Sequence, residues 1–326
     1  MPASPSPHNL RIIFMGTPEF AVPSLKILLN SGYDIISVIT APDKPAGRGR
    51  KIRFSPVKEF ALKNNLYILQ PEKLKDTAFI EELKRLQADL QVVVAFRILP
   101  EIIWSMPSLG TFNLHASLLP QYRGAAPINR AIMNGETETG LTTFFIDHQV
   151  DTGNIIMQEK ISIAENDNAG SLHDKMMMRG AILVAETVKI IHSGNLTPVP
   201  QNDSSMSHKM LKTAPKIGKN DCRINWQQTG RVILNLIRGL SPYPAAFSFL
   251  YQNDKTLTLK VFEADFIPSG KTLPPGTINS DNKKYMNVAV KDGFINIKSL
   301  QAEGKNKMNI EQFLSGFRDI CNYRLR

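Results

Sequence analysis

Cysteine is nearly missing from this sequence: Cys222 and Cys321 are its two thiols in 326 residues. Two thiols cannot build a disulfide framework, and no group of His, Cys and acidic residues has the spacing of a metal site. Long apolar runs are missing too. The longest are broken by charge or fall far short of the roughly 20 residues that a membrane-crossing helix needs. A glycine-rich dinucleotide fingerprint is also absent, because Gly16-Thr-Pro-Glu-Phe-Ala21 does not match G-x-G-x-x-G and no acidic residue is placed for a ribose. NAD is therefore not expected. Residues 1–9, rich in proline and serine, lack the basic-then-apolar order of a signal segment and are expected to form a disordered tail. These shortages together point to a cytoplasmic protein without metal, disulfide or membrane span.

Acidic residues are scarce in one region only. Residues 1–200 hold 20 Lys and Arg against 19 Asp and Glu, whereas residues 201–326 hold 19 against 10. Nearly all of the net charge of +10 thus lies in the last third. Within the first part, the stretch 44–58 carries Lys44, Arg48, Arg50, Lys51, Arg53 and Lys58 with no acidic residue. Two separate basic regions suit an extended polyanion such as a nucleic acid better than a small neutral ligand.

With 42% hydrophobic residues, the chain has material for about two domains. The first reads as alternating strands and helices. Residues 11–15 are an apolar strand, Gly16-Thr17-Pro18 makes the turn with Thr17 as N-cap, and Phe20, Val22, Leu25, Leu28 and Leu29 form a helical stripe. Strands are expected at 34–40, 67–69 and 91–95, with helices starting at Ser55 and at Asp76 or Thr77. A helix over 127–134, strands over 141–147 and 154–163, and a long helix over 168–192 follow. This alternation predicts an α/β fold, a Rossmann-like, doubly wound, mostly parallel sheet spanning residues 10–194. A polar segment with Pro198 and Pro200 suggests a linker over 195–210. Residues 211–326 read as short antiparallel strands with one helix, capped by Thr229, and a strand over 223–226. Asp292-Gly293 would make a tight hairpin. These features fit a small OB-like β-barrel.

The most informative residues are Asn113, His115 and Asp151. Asn113 and His115 are two apart in the alternating run Thr111-Phe-Asn-Leu-His115, so they project from one strand face. The run then breaks at Pro120 and Gly124 into a loop, which places both near a strand end facing a cleft. An imidazole there can exchange a proton, and an amide N–H can bind developing oxygen charge. Asp151, in an Asp-Thr-Gly turn, could orient the histidine or accept a proton itself. No serine or cysteine is placed as nucleophile, which suggests direct group transfer.

Asn-x-His-x-Ser-Leu-Leu-Pro120, followed by the Asp of Asp-Thr-Gly153 38 residues after the Asn, resembles the formyltransferases that use 10-formyl-tetrahydrofolate. Within that family the chain is most similar to the methionyl-tRNA formyltransferases, from about residue 10 to the C-terminus. The resemblance implies a formyltransferase fold with a second OB-type domain. It also implies transfer of a formyl group to the α-amino group of methionine on initiator tRNA, for translation initiation, by a monomer. Asn113 would then donate to the oxyanion, while His115 and Asp151 manage the proton. Which of the two takes it first stays open.

The same resemblance implies folate contacts at Ser117, Leu118, Leu119 and Pro120, and at Ile98 and Leu99, with plain core packing the strong alternative for Ile98 and Leu99. It likens the loop Asp43-Lys-Pro-Ala-Gly-Arg-Gly-Arg-Lys51 to the family's tRNA-grasping insertion, with Arg48 the key position and Lys44, Arg50 and Lys51 beside it. The Gly16-Thr-Pro18 turn is either a border of the acceptor site or simply a helix start. His148 reads as a loop histidine and His173 as structural.

Overall fold

The computed structural model describes residues 10–46, 51–201, 211–253, 255–270, 273–317 and 319–326. The tail expected at residues 1–9 lies outside them, as do Arg48, Arg50 and most of the segment read as a linker. The chain divides into two compact units. One contains the described residues of Met1–Gly124, Thr139–Ile161 and His173–Thr213. The other contains those of Ala125–Glu138, Ser162–Leu172 and Ala214–Arg326.

The first unit is built on strands β1 (Arg11–Gly16), β2 (Asp34–Ile39), β5 (Ile68–Leu69), β6 (Leu90–Val94), β7 (Thr111–His115), β8 (Glu138–Phe145) and β9 (Ile155–Ser162). The sheet order is β5-β2-β1-β6-β7-β8-β9. Strands β5, β2, β1, β6 and β7 run parallel, and β8 pairs antiparallel with β7. All five residues of β6 and five of the six in β1 are buried, as expected of strands covered on both faces. Ile13, Met15, Ile39 and Val93 pack on one face against Phe79 and Leu83 of helix α3 (Thr77–Leu86) and against Leu99 and Ile103.

Capping follows the sequence at two helices. The Asp76 side chain accepts from Phe79 N, and Ser55 accepts from Lys58 N at the head of α2 (Pro56–Lys63). Thr17 does not cap. Helix α1 (Val22–Asn30) begins after a 3-10 turn over Glu19–Ala21, and the Thr17 hydroxyl accepts from Ala41 N instead (3.3 Å). The stretch read as a basic loop has paired arms: β3 (Lys44–Ala46) and β4 (Lys51–Arg53) form a two-stranded antiparallel ribbon with Lys44 opposite Arg53.

In the second unit, β10 (Ala246–Gln252), β11 (Lys255–Pro268), β12 (Ile278–Ser280), β13 (Met286–Val290), β14 (Gly293–Ala302) and β16 (Arg324–Leu325) follow the order β12-β13-β14-β11-β10-β16. The short β15 (Met308–Asn309) pairs with β14. An isolated bridge between Thr277 and Arg324 brings the two edges together, leaving a nearly closed barrel of OB-like type. Register shifts around Glu263 bend the long β11, as a curling sheet requires. Helix α7 (Gly230–Leu240) buries Ile233, Ile237 and Leu240 in the barrel core beside Val261, Ile295 and Leu300.

Two local expectations change here. Arg223–Trp226 is not a strand: Arg223 makes a single bridge to Phe247, and the chain then turns as Gln228 N donates to the Asn225 carbonyl. Thr229 occupies the N-cap position of α7 without a side-chain bond. Asp292, 62 residues away, supplies the acceptor to Gly230 N at 2.7 Å.

Candidate active site

Strand β7 carries Asn113 and His115 to the carboxyl edge of the parallel sheet, where ligands of such folds bind. His115 is almost fully buried, at 6% exposure. Its Nε2 lies 2.9 Å from the Tyr122 carbonyl oxygen. A carbonyl can only accept, so Nε2 carries the proton and Nδ1 is the free atom of the neutral ring. That atom faces the Asp151 carboxylate, with Oδ2 at 3.9 Å. A neutral Nδ1 and a carboxylate are both acceptors, so no hydrogen bond joins them at this spacing.

The loop that supplies the Tyr122 carbonyl is held from several sides. Ser117 Oγ donates to the Gln121 carbonyl (2.6 Å), and Leu119 N donates to Thr142 Oγ1 (3.1 Å). Thr142 Oγ1 in turn donates to the Ser117 carbonyl (2.7 Å), and Gln158 Nε2 donates to the Leu119 carbonyl (2.9 Å). Tyr122, in the left-handed region at φ +60°, donates its N–H to the Lys212 carbonyl (2.6 Å).

Asp151 also sits in the left-handed region, at φ +58°, inside the loop between β8 and β9. Its Oδ2 accepts from Gly124 N at 2.9 Å. Gly153 is required beside it, because a Cβ there would lie 1.7 Å from the Phe145 carbonyl oxygen. On the other side of the turn, Asp147 Oδ1 accepts from Gln149 N (3.0 Å) and from Thr152 Oγ1 (2.7 Å).

Asn113 and Asp151 line one cavity of about 380 Å³, within the range of small-molecule sites, roughly 300–1,000 Å³. Ile98, Leu99, Pro100, Trp104 and Phe144 form its apolar wall. Ile98 is 76% exposed, whereas Leu99 is shared with the core. Ser117, Leu118, Leu119 and Pro120 do not line this cavity. Ser117 and Leu119 are buried in the loop that presents Tyr122, and Leu118 packs so closely on Gly140 that a Cβ there would meet it at 2.4 Å. His148 is on the cavity rim, 3.5 Å from Glu101 Oε2 and edge-on to Trp104. His173 packs edge-on against Phe20 and pairs with Asp174 (3.0 Å). Arg97, which the sequence did not single out, lines the cavity with its terminal nitrogens on the Pro71 and Glu72 carbonyls. Burial pulls its pKa below the usual arginine value.

Lys44 and Lys51 lie on the facing arms of the basic ribbon, while Arg48 and Arg50, between them, are outside the described residues. The ribbon's root is fixed by Asp43, whose Oδ2 is 2.5 Å from Lys58 Nζ and whose Oδ1 accepts from Gln70 Nε2 (2.9 Å). The Lys58 ammonium, and next the Gln70 amide, hold the Asp43 carboxyl below its ordinary range. Among the described residues, no group of three His, Cys, Asp or Glu could hold a metal ion, and no helix is long and apolar enough to cross a membrane.

Residues 10–188 match the family model "Formyl transferase", and residues 216–318 match "Formyl transferase, C-terminal domain". The chain belongs to the formyl transferase family. Its similarity to named family members extends over almost the whole chain. It is 56% identical to the methionyl-tRNA formyltransferase of Phocaeicola vulgatus, over 97% of this chain and 98% of that one. It is 52% identical to that of Bacteroides thetaiotaomicron, over 98% and 99%. Among solved structures, the formyltransferase fold recurs in an N-formyltransferase from Helicobacter canadensis, in complex with folinic acid and dTDP-3-aminofucose. That match has a TM-score of 0.65 and 22% identity, covering 92% of this chain and all of that one.

Proposed function

We propose that this chain transfers the formyl group of 10-formyl-tetrahydrofolate to the α-amino group of methionine esterified to initiator tRNA, the step that prepares this tRNA for translation initiation. The observation that carries the reading is the convergence of Asn113 and Asp151 on one cavity, with His115 behind Asp151, in a chain more than half identical to a methionyl-tRNA formyltransferase. The donor supplies a one-carbon unit already activated on nitrogen. The cavity suits a flat, partly polar ring system, since an apolar wall faces a few convergent polar groups.

In this reading the Asn113 amide donates to the formyl oxygen as it gains negative charge, a contact worth roughly 3 kcal/mol of barrier. The incoming amine must lose a proton as its bond to carbon forms. Asp151 borders the cavity and meets that proton first, and His115 Nδ1, 3.9 Å away, is the second base beside it. The Tyr122 carbonyl keeps the far side of the ring protonated throughout. The same pair can return the proton to the departing nitrogen, so the transfer closes without net proton loss.

RNA contact is assigned to Lys44, Arg48, Arg50 and Lys51 and to the positive second unit. One outward face of that unit combines rings with cations. Phe247 and Phe249 alternate with buried residues along β10, Arg223 lies over the Phe249 ring, and Arg326 lies over the Tyr251 ring. Cationic groups over aromatic faces suit phosphates and bases. Cys222 and Cys321 are both free, the state that a reducing cytoplasm maintains.

The test is a competition among acceptors at fixed 10-formyl-tetrahydrofolate. Methionyl initiator tRNA should be formylated at least a hundredfold faster than free methionine or an amino-sugar nucleotide. Preference for the sugar nucleotide would replace this reading with a small-amine formyltransferase, and no transfer to any acceptor would remove it.

A further inference from the structure

Gln201 uses both ends of its side-chain amide. Its Nε2 donates twice, to the Asp151 carbonyl at 3.1 Å and to the Gly153 carbonyl at 2.8 Å. Its Oε1 accepts twice from Arg123, from Nε at 3.2 Å and from the second terminal nitrogen at 2.8 Å. The orientation of the amide follows from its partners, because backbone carbonyls only accept and a guanidinium only donates. Gln201 therefore spans the Asp-Thr-Gly turn from behind and grips it on both sides of Thr152.

That grip acts on a strained element. Asp151 adopts φ +58°, a conformation that L residues other than glycine hold only when their surroundings over-determine it. The Gly124 N–H fixes the carboxylate end of this residue and Gln201 fixes its backbone end. Arg123, next to Gly124 in sequence, orients the Gln201 amide, so one short stretch of chain supplies both restraints. The 3.9 Å spacing between Asp151 Oδ2 and His115 Nδ1 depends on this turn staying in place.

We infer that Gln201, aligned by Arg123, is a positioning residue for Asp151 in the proposed transfer reaction. It does not line the cavity; it sets the direction of the carboxylate through the backbone that carries it. The inference rests on the function proposed above and extends it to a residue outside the sequence motif.

Two near-isosteric substitutions test it. Gln201→Glu keeps the acceptors for Arg123 and removes both donors; Gln201→Met removes donors and acceptor while retaining bulk. The readouts are kcat and both KM values for formylation of methionyl initiator tRNA, with the melting temperature of each full-length variant. Both variants should lose at least tenfold in kcat, with the KM for 10-formyl-tetrahydrofolate within twofold of wild type. Gln201→Glu should keep a near wild-type melting temperature, since its ion pair to Arg123 persists. Wild-type kcat in both variants would overturn the inference, as would a kcat loss confined to variants that melt early. A wild-type chain that fails to formylate the tRNA would instead overturn the proposed function, so the two failures are distinguishable.

Discussion

A single carbonyl group decides what His115 can do. Because the Tyr122 oxygen occupies Nε2, Nδ1 on the Asp151 side is the ring atom left for the proposed proton transfer. Removing the ring leaves Asp151 as the one remaining base of the proposed pair and takes a donor from the Tyr122 carbonyl. His115→Ala should therefore lower kcat by about 10²–10⁴, the range for loss of a proton-transfer partner. The variant should still fold, at a cost of about 0.5–1.5 kcal/mol for the lost hydrogen bond. Steady-state kinetics with a denaturant melt checks both, and a fully active variant would contradict the assignment.

At the scale of elements, the basic ribbon illustrates how a charged loop can be held by its root. Asp43 ties β3 to Lys58 in α2 and to Gln70 at the end of β5, so the ribbon leaves the sheet edge from a fixed base. The folded pKa of Asp43 lies below its unfolded value, so its contribution to stability is complete above the unfolded carboxylate pKa of about 3.9. The contribution fades as pH falls through the lowered folded value. The stability difference between wild type and Asp43→Asn should accordingly be constant near neutrality and should shrink only below about pH 3.9. Denaturant melts across pH 2–7 check this; a difference that grows on acidification would contradict the role given to Asp43. Because the root aims the proposed RNA-contacting arms, the same variant should raise KM for charged tRNA several-fold while leaving KM for the donor unchanged.

These elements also mark what could be read in advance. The period-two spacing of Asn113 and His115 shows that they share a strand face, and the turn chemistry of Asp151-Thr-Gly153 is visible in three residues. The caps at Ser55 and Asp76 are equally local, each using an N–H three residues on. The rest depends on partners distant in sequence. Thr17 serves Ala41 and leaves its own helix without a side-chain cap, and Asp292 replaces Thr229 at the head of α7. Gln201 reaches Asp151 from 50 residues away, and nothing in a glutamine between Pro200 and Asn202 signals that. The arms of the ribbon were missed because glycine and proline read as loop, whereas the strand pairing begins on either side of those glycines.

Across the whole molecule, charge is the organising quantity. The balance of +9 in residues 201–326 and the acid-free stretch 44–58 put cations on both units. If these groups bind phosphates, each contact displaces condensed counterions, and affinity for tRNA falls with log salt by about 0.7–0.9 per contact. The donor should respond much less. Raising salt from about 50 to 200 mM should increase KM for charged tRNA by at least tenfold and change KM for 10-formyl-tetrahydrofolate less than twofold. Equal salt responses would argue against phosphate contacts on either unit.

In the proposed reaction the formyl oxygen gains its charge against the Asn113 amide, which lines the cavity. The most direct measurement is therefore the single-turnover rate of formyl transfer to methionyl initiator tRNA, compared between wild type and Asn113→Ala with both substrates saturating. The account predicts rapid transfer by the wild type and a rate lower by about 10²–10³ in the variant, with both substrates still bound. An Asn113→Ala chain that transfers the group at the wild-type rate would contradict it.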